Sequence, residues 1–205
     1  RTFSSAASDV YKRQLSGSGI QATALRNFWI ELGVTQKDIA VPLATLYSHN
    51  IKIIDDDAPR IAFIREPIAL TLEGVNETIV ELPTHPNTTG LGTRKIQLHD
   101  AVVYIEKADL QHKTLRLKEF GDFDIEGNTA RFVAKERTDK RKIVHWTSKN
   151  SSVDASLVQV IDGEICRLDG KLESHQLAVN TPVQIERIGY GIISVSYTHL
   201  RAHET

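Results

Sequence analysis

In ELPTHPNTTGLGTRKIQLHDAVVYIEKADL, Glu81 to Leu110, a turn-rich segment from Pro83 to Gly92 separates two strand-like runs. Proline pre-sets one backbone angle and glycine reaches conformations closed to other residues, so this composition reads as a shaped turn. The turn delivers a single basic side chain, Arg94, as a new strand begins. The glycines of TTGLGTRK precede a strand instead of opening a helix, which excludes a dinucleotide-binding fingerprint. His85-Pro86 shapes the turn, because proline pushes its neighbour to extended geometry; a catalytic His85 would need a partner that the sequence does not identify.

Upstream of this stretch, Ile68, Leu70 and Leu72 alternate with Ala69, Thr71 and Glu73, the period of a half-buried strand. Strand-like runs follow at Thr78–Leu82, Arg94–Leu98, Val102–Glu106, Thr114–Lys118, Ala130–Glu136 and Lys142–Thr147. A second set comprises Ser156–Ile161, Glu164–Leu168 and Val183–Ile188, and the polar stretch Ser148–Asp154 is the expected boundary between two β units. Many short strands separated by turn signals point to a sandwich or barrel. Before Arg60 the period is 3.6. Leu25, Phe28, Trp29 and Leu32 share one helix face, Gly33 ends that helix and Thr35 can cap the next segment. A second helix places Leu43, Leu46, Tyr47, Ile51 and Ile54 on one side. Two such helices cannot bury both faces alone and read as the tail of a larger helical region. Asp55, Asp56 and Asp57 close them in a solvated turn, since three successive carboxylates cannot all point at one cation.

Composition narrows the class further. Of 205 residues, 40% are apolar and 25% charged, as in ordinary globular proteins, and no stretch approaches the roughly 20 apolar residues of a membrane span. The single Cys166 excludes an internal disulfide framework and fits a cytoplasmic location. A net charge of −1 excludes a bulk polyanion binder, so any nucleic-acid contact must come from local basic clusters. There is no methionine, so a natural start is not expected at Arg1, and residues 1–14 and 196–205 resemble translated sequencing adapters. On that reading His199 and His203, a helical metal pair by spacing, hold no metal.

In TLRLKEF, Leu115 and Leu117 point one way while Arg116 and Lys118 point the other. Gln184 and Arg187 lie in PVQIERIGY. Arginine and glutamine carry planar donor arrays that suit the edges of unstacked bases, the usual target of sequence-specific RNA recognition. Pattern alone reads the alternating charge as a wet strand face. Gln184 and Arg187 differ in parity and can serve one ligand only if the strand bends between them. In KIVHWTS, one of His145 and Trp146 is core and the other surface.

Six ordered motifs carry a resemblance. They are GIQATALRNFWIELGVTQKD, DDDAPRIAFIREPIALTLEG, LPTHPNTTGLGTRKIQLHDAVVYIEKADL, RLKEFGDFDI, KIVHWTS and VQIERIGYG. Together they resemble the C-terminal half of the archaeal and eukaryotic type of glutamyl-tRNA synthetase, within the glutamyl/glutaminyl-tRNA synthetase family. The resemblance implies a mainly β fold. A short helical connector (residues 15–60) would lead into a proximal β-barrel (61–150) and an incomplete distal β-barrel (151–195) with its last strand truncated, and the barrels would grip an anticodon loop. It implies no catalytic residues and no metal here, but a tRNA anticodon-binding set of Arg94, Arg116, Lys118, Gln184 and Arg187. Arg94 matches a base-contacting arginine, Lys118 stands where glutaminyl relatives have a second arginine, and Gln184 with Arg187 match the pair that reads the third anticodon base. The short connection ADLQHKTLRL favours the glutamyl over the glutaminyl branch.

The intact family activates glutamate with ATP (and Mg) on an upstream domain and transfers it to tRNA(Glu), in some relatives also to tRNA(Gln). DNA and membranes are not expected partners. Two other readings are a glutaminyl enzyme of the same build and a stand-alone tRNA-binding module.

Overall fold

The structure is a computed structural model that describes residues 19–33, 43–76, 78–161, 164–174 and 177–194. The terminal segments read as adapters, the His199–His203 pair and Thr35 lie outside the described residues. The chain forms two compact units, Arg1–Pro59 with Gln176–Thr205, and Arg60–His175.

The first unit holds two helices, α1 (Ala22–Leu32) and α2 (Leu43–Ile54), a 3₁₀ turn at Asp55–Asp57, and a late β-hairpin. Gly33 closes α1 at φ 68°, the left-handed stop expected of it. Ala24 and Phe28, one turn apart, form the buried stripe of α1, whereas Trp29 is 61% exposed. In α2 the buried positions are Leu46, Asn50 and Ile54, with Tyr47 and Ile51 turned out. Asn50 does what no residue at the start of α1 does. Its Oδ1 accepts from the Gln21 amide at 2.7 Å and its Nδ2 donates to the Gly19 carbonyl at 3.1 Å, so an orphan N–H of one helix is satisfied by a side chain of the other.

The second unit is the β body. Its strands are β1 (Arg60–Ile61), β2 (Phe63–Arg65), β3 (Pro67–Glu73), β4 (Ile79–Pro83), β5 (Thr93–Gln97), β6 (Val102–Glu106) and β7 (Thr114–Leu117). They continue as β8 (Gly121–Glu126), β9 (Thr129–Ala134), β10 (Lys142–Val144), β11 (Thr147–Ser148), β12 (Ser152–Ile161) and β13 (Glu164–Glu173). Seven of them make one sheet in the order β10-β7-β8-β9-β3-β6-β11. Its two outermost strands, β10 and β11, are joined by His145 and Trp146 alone. Three residue steps from Val144 to Thr147 reach at most roughly 11 Å, while a flat sheet of this order would hold its edges roughly 29 Å apart. The sheet therefore curls until its edges nearly meet, which is a barrel wall. Trp146, 1% exposed, sits at that seam and donates from Nε1 to the Lys118 carbonyl at 3.0 Å. This is why the run Lys142–Thr147, expected as one strand, is two.

Leu70, Leu72, Leu115, Leu117, Phe123, Val103, Ile105 and their neighbours fill the enclosed core. The alternations read in β3 and β7 hold, with Leu115 and Leu117 inside and Arg116 and Lys118 half-exposed. Two further pieces complete the unit, the ribbon β4–β5 and the sheet β12-β13-β2. Ser148–Asp154 passes through a 3₁₀ turn directly into β12, and both sides of that stretch lie in the second unit. Gly170 lets β13 close on β2: a Cβ there would stand 2.8 Å from the Phe63 ring and clash with the Ile64 carbonyl.

Candidate nucleic-acid interface

The turn before Arg94 is built from its own residues. Nδ1 of His85, 3% exposed, accepts from the Asn87 amide at 3.1 Å and the Thr88 amide at 2.9 Å. Thr84 N–H donates to the Gly92 carbonyl at 3.0 Å, and Gly92 takes φ 68°. The turn role expected of His85 is thus met by its ring nitrogen.

Arg94 then enters β5 on the inner face, in step with Ile96. It is 3% exposed. Its Nε lies 2.8 Å from Oε1 of Glu173, itself 3% exposed, and its Nη1 donates to the carbonyls of Arg60 and, at 3.3 Å, Pro83. Glu173 Oε2 also accepts from the Ala62 amide at 3.1 Å. The guanidinium expected to meet a base is bound inside the unit, where it joins β5, β13 and the chain around β1. Strand parity carried a signal for this, because Arg94 alternates in phase with Ile96 and Leu98.

Arg116 is engaged as well. It stands opposite Asp122 in the β7–β8 register and donates to it from Nη1 at 2.6 Å, while Nη2 donates to the Lys135 carbonyl at 2.9 Å. Asp122 is 0% exposed and also accepts from the amide and the hydroxyl of Thr138, each at 2.8 Å. Burial by itself would push the Asp122 carboxyl up. The hydrogen bonds from the Thr138 amide, Arg116 and the Thr138 hydroxyl outweigh it and hold the group below the usual carboxylate range. Lys118 follows in the turn after β7, half-buried, with its amide donating to the Val144 carbonyl at 3.1 Å.

In the first unit, Gln184 lies on β14 (Pro182–Ile185), which pairs with β15 (Gly189–Ile192). Its amide donates to the Pro59 carbonyl at 3.0 Å, and Tyr190, its register partner, donates its hydroxyl to Asp55. Arg187 is exposed in the turn between these strands at φ 67°, a left-handed conformation that favours glycine. The parity objection to pairing Gln184 with Arg187 therefore lapses, since the strand ends at Ile185 and the chain reverses. The structure brings Arg116 and Lys118 together in one unit and Gln184 and Arg187 together in the other.

One cluster escaped the sequence reading. Asp122, Thr138 and Arg141 organise the loop after β9; the one signal was the charge run KERTDKRK, because in GDFDI Asp122 is out of phase with Phe123 and Ile125 and reads as an outward residue.

The second unit is a curled β body that leaves Arg116 and Lys118 half-exposed on and just after β7. Residues 58–140 match the family described as tRNA synthetases class I (E and Q), anti-codon binding domain, and that stretch is such a domain. The full-length relatives are narrower in kind. The chain is 33% identical over 191 residues to "Glutamate--tRNA ligase" of Methanosarcina acetivorans, covering 87% of this chain and 32% of the relative. It is 31% identical over 194 residues to that of Thermococcus kodakarensis (87% and 33%) and 32% identical over 190 residues to that of Methanococcus maripaludis (87% and 33%). The chain thus spans about a third of the length of these relatives. Among the described residues no helix is long and apolar enough to cross a membrane, and no cluster of metal-ligating side chains occurs.

Proposed function

We propose that the chain is the tRNA anticodon-binding portion of a glutamate--tRNA ligase. The whole enzyme would activate glutamate with ATP and Mg on an upstream domain and transfer it to tRNA(Glu) in the cytoplasm. The match of residues 58–140 to the anticodon-binding family carries this reading. The similar proteins are glutamate--tRNA ligases, which favours glutamate over glutamine. The assignment of residues 15–60 to a connector, 61–150 to a proximal barrel and 151–195 to a distal barrel belongs to the same proposal.

Within it, Arg187 with Gln184 reads the third anticodon base, where the two candidate tRNAs differ. An arginine kept in a left-handed turn that glycine would suit better, with its side chain exposed, supports that role. Lys118, just after β7, contributes positive charge, Arg116 holds Asp122 and the Lys135 carbonyl, and Arg94 acts from within by holding the turn and β13 in place. Arg187→Ala should weaken tRNA binding by about 1–3 kcal/mol and relax discrimination at the third base. An equal loss for every anticodon variant would reduce Arg187 to a backbone contact.

A further inference from the structure

The loop from Lys135 to Arg141, between β9 and β10, is held with more care than a solvated turn requires. It has three anchors. The Lys135 carbonyl accepts from Arg116 at 2.9 Å, Thr138 gives both its amide and its hydroxyl to the fully buried Asp122, and Arg141 donates to the Phe123 carbonyl at 2.8 Å. Burying a carboxylate is unfavourable unless it is well bonded, and here that carboxylate bonds the apex of an exposed loop.

Charge in the loop is sorted by the same contacts. Asp139 is taken by Arg141 at 2.9 Å, and Asp124, which faces the loop from β8, is bonded by Arg141 at 2.7 Å. Lys142 is paired with Asp109 at 2.8 Å. Lys135, Arg137 and Lys140 are exposed and make no ion pair among the described residues; Arg137 donates only its Nε, to the Asp139 carbonyl at 3.2 Å. The one carboxylate of the loop outside these pairings is Glu136. A protein with a net charge of −1 thus presents a rigid loop with an excess of two positive charges, and the acidic groups nearest to it are already neutralised.

We propose that this loop is a phosphate-gripping element for the tRNA backbone, with Lys135, Arg137 and Lys140 as the contacts and Arg116, Asp122 and Thr138 as positioning residues. The inference rests on the anticodon-binding reading and adds to it an element that touches phosphates, not bases. A loop ordered before binding loses little conformational freedom when it meets its ligand. Ammonium and guanidinium groups without carboxylate partners gain by displacing counterions from phosphate. Arg116, expected to touch RNA directly, acts instead by fixing the Lys135 carbonyl.

The test is tRNA binding by the whole chain, unaltered and as Lys135→Ala/Arg137→Ala/Lys140→Ala, titrated between about 50 and 200 mM salt. Each lost phosphate contact should flatten the slope of log K against log salt by about 0.7, so three flatten it by about 2. Over that fourfold range the unaltered chain should lose roughly twentyfold more affinity than the variant. The loss should be the same for cognate and anticodon-exchanged tRNAs. All three side chains are exposed, so an unchanged thermal midpoint is expected and guards against misfolding. Thr138→Val keeps every charge and the amide bond to Asp122 but removes the hydroxyl bond at the apex, and should weaken binding with the salt slope retained. An unchanged slope in the triple variant, beside normal binding by the unaltered chain, overturns this inference alone; no tRNA binding by the unaltered chain overturns it together with the reading beneath it.

Discussion

Truncating Arg94 to alanine distinguishes an inner strut from an outward reader. The side chains of Arg94 and Glu173 are 2% and 3% exposed and meet at 2.8 Å. The truncation takes the Arg94 counter-charge from a buried carboxylate and a donor from the carbonyls of Arg60 and Pro83. Removing one partner of a buried ion pair costs about 3–5 kcal/mol, because the remaining charge stays desolvated. With a urea dependence of about 2 kcal/mol per molar, the unfolding midpoint should fall by roughly 1.5–2.5 M. Arg94→Lys retains charge but not the planar fork, and a loss of about 1–3 kcal/mol is expected. In the double variant Arg94→Ala/Glu173→Gln no charge is stranded, so its loss should be smaller than the sum of the two single losses by about 1–3 kcal/mol. The measurement is urea unfolding followed by tryptophan fluorescence, with Trp146 in the core as reporter. An Arg94→Ala protein within about 1 kcal/mol of the parent, but deaf to one anticodon base, would refute the argument and return Arg94 to the RNA surface.

Gly170→Ala should destabilise the second unit by about 1–3 kcal/mol in the same assay, since the added methyl meets the Phe63 ring and the Ile64 carbonyl where β13 closes on β2. The Asp122 clamp predicts an acid limb. Its carboxyl is held below the ordinary value of about 3.9, so its stabilisation is complete above that pH and is lost as pH falls through the lower folded value. Midpoints measured from about pH 6 to pH 2 should fall more steeply for the parent than for Asp122→Asn. Asp169, also held low, chiefly by Ser156 and Arg167, titrates in both proteins and cancels in the comparison; parallel curves would mean that Asp122 is not clamped.

Much of the β body was legible because burial and strand period coincide. Leu70 and Leu72 in β3, and Leu115 and Leu117 in β7, occupy the inner positions their alternation predicts. Where the period was read too broadly, the structure departs. Trp29, Tyr47 and Ile51 share a helix face with buried residues, yet they are exposed because the contact follows the narrower stripes of Ala24–Phe28 and Leu46–Asn50–Ile54. In β8, Phe123 and Ile125 alternate with Asp122, Asp124 and Glu126, but the β8–β9 register shifts between Asp122 and Phe123 and Asp122 is fully buried beside Phe123, so burial there does not follow the alternation. The division of Lys142–Thr147 was invisible for a different reason. Two residues that carry a chain from one edge of a sheet to the other look, locally, like two more residues of a strand.

The candidate site follows the same logic. An outward residue on an inner strand has a cross-strand neighbour about 5 Å away, and a basic residue there tends to be claimed by it. Arg116 is claimed in this way by Asp122. Arg94 is turned inward by its parity with Ile96 and claimed by Glu173. Neither partner can be read from local periodicity, because β8 and β13 reach these arginines only after the chain has folded. A turn has no facing strand to claim its side chains, and its backbone aims them at solvent. Lys135, Arg137 and Lys140 are exposed at such positions. Basic residues on the strands of this domain build the frame, and those in the loop after β9 are left to meet phosphate, which is the usual division of labour between a rigid β body and its loops.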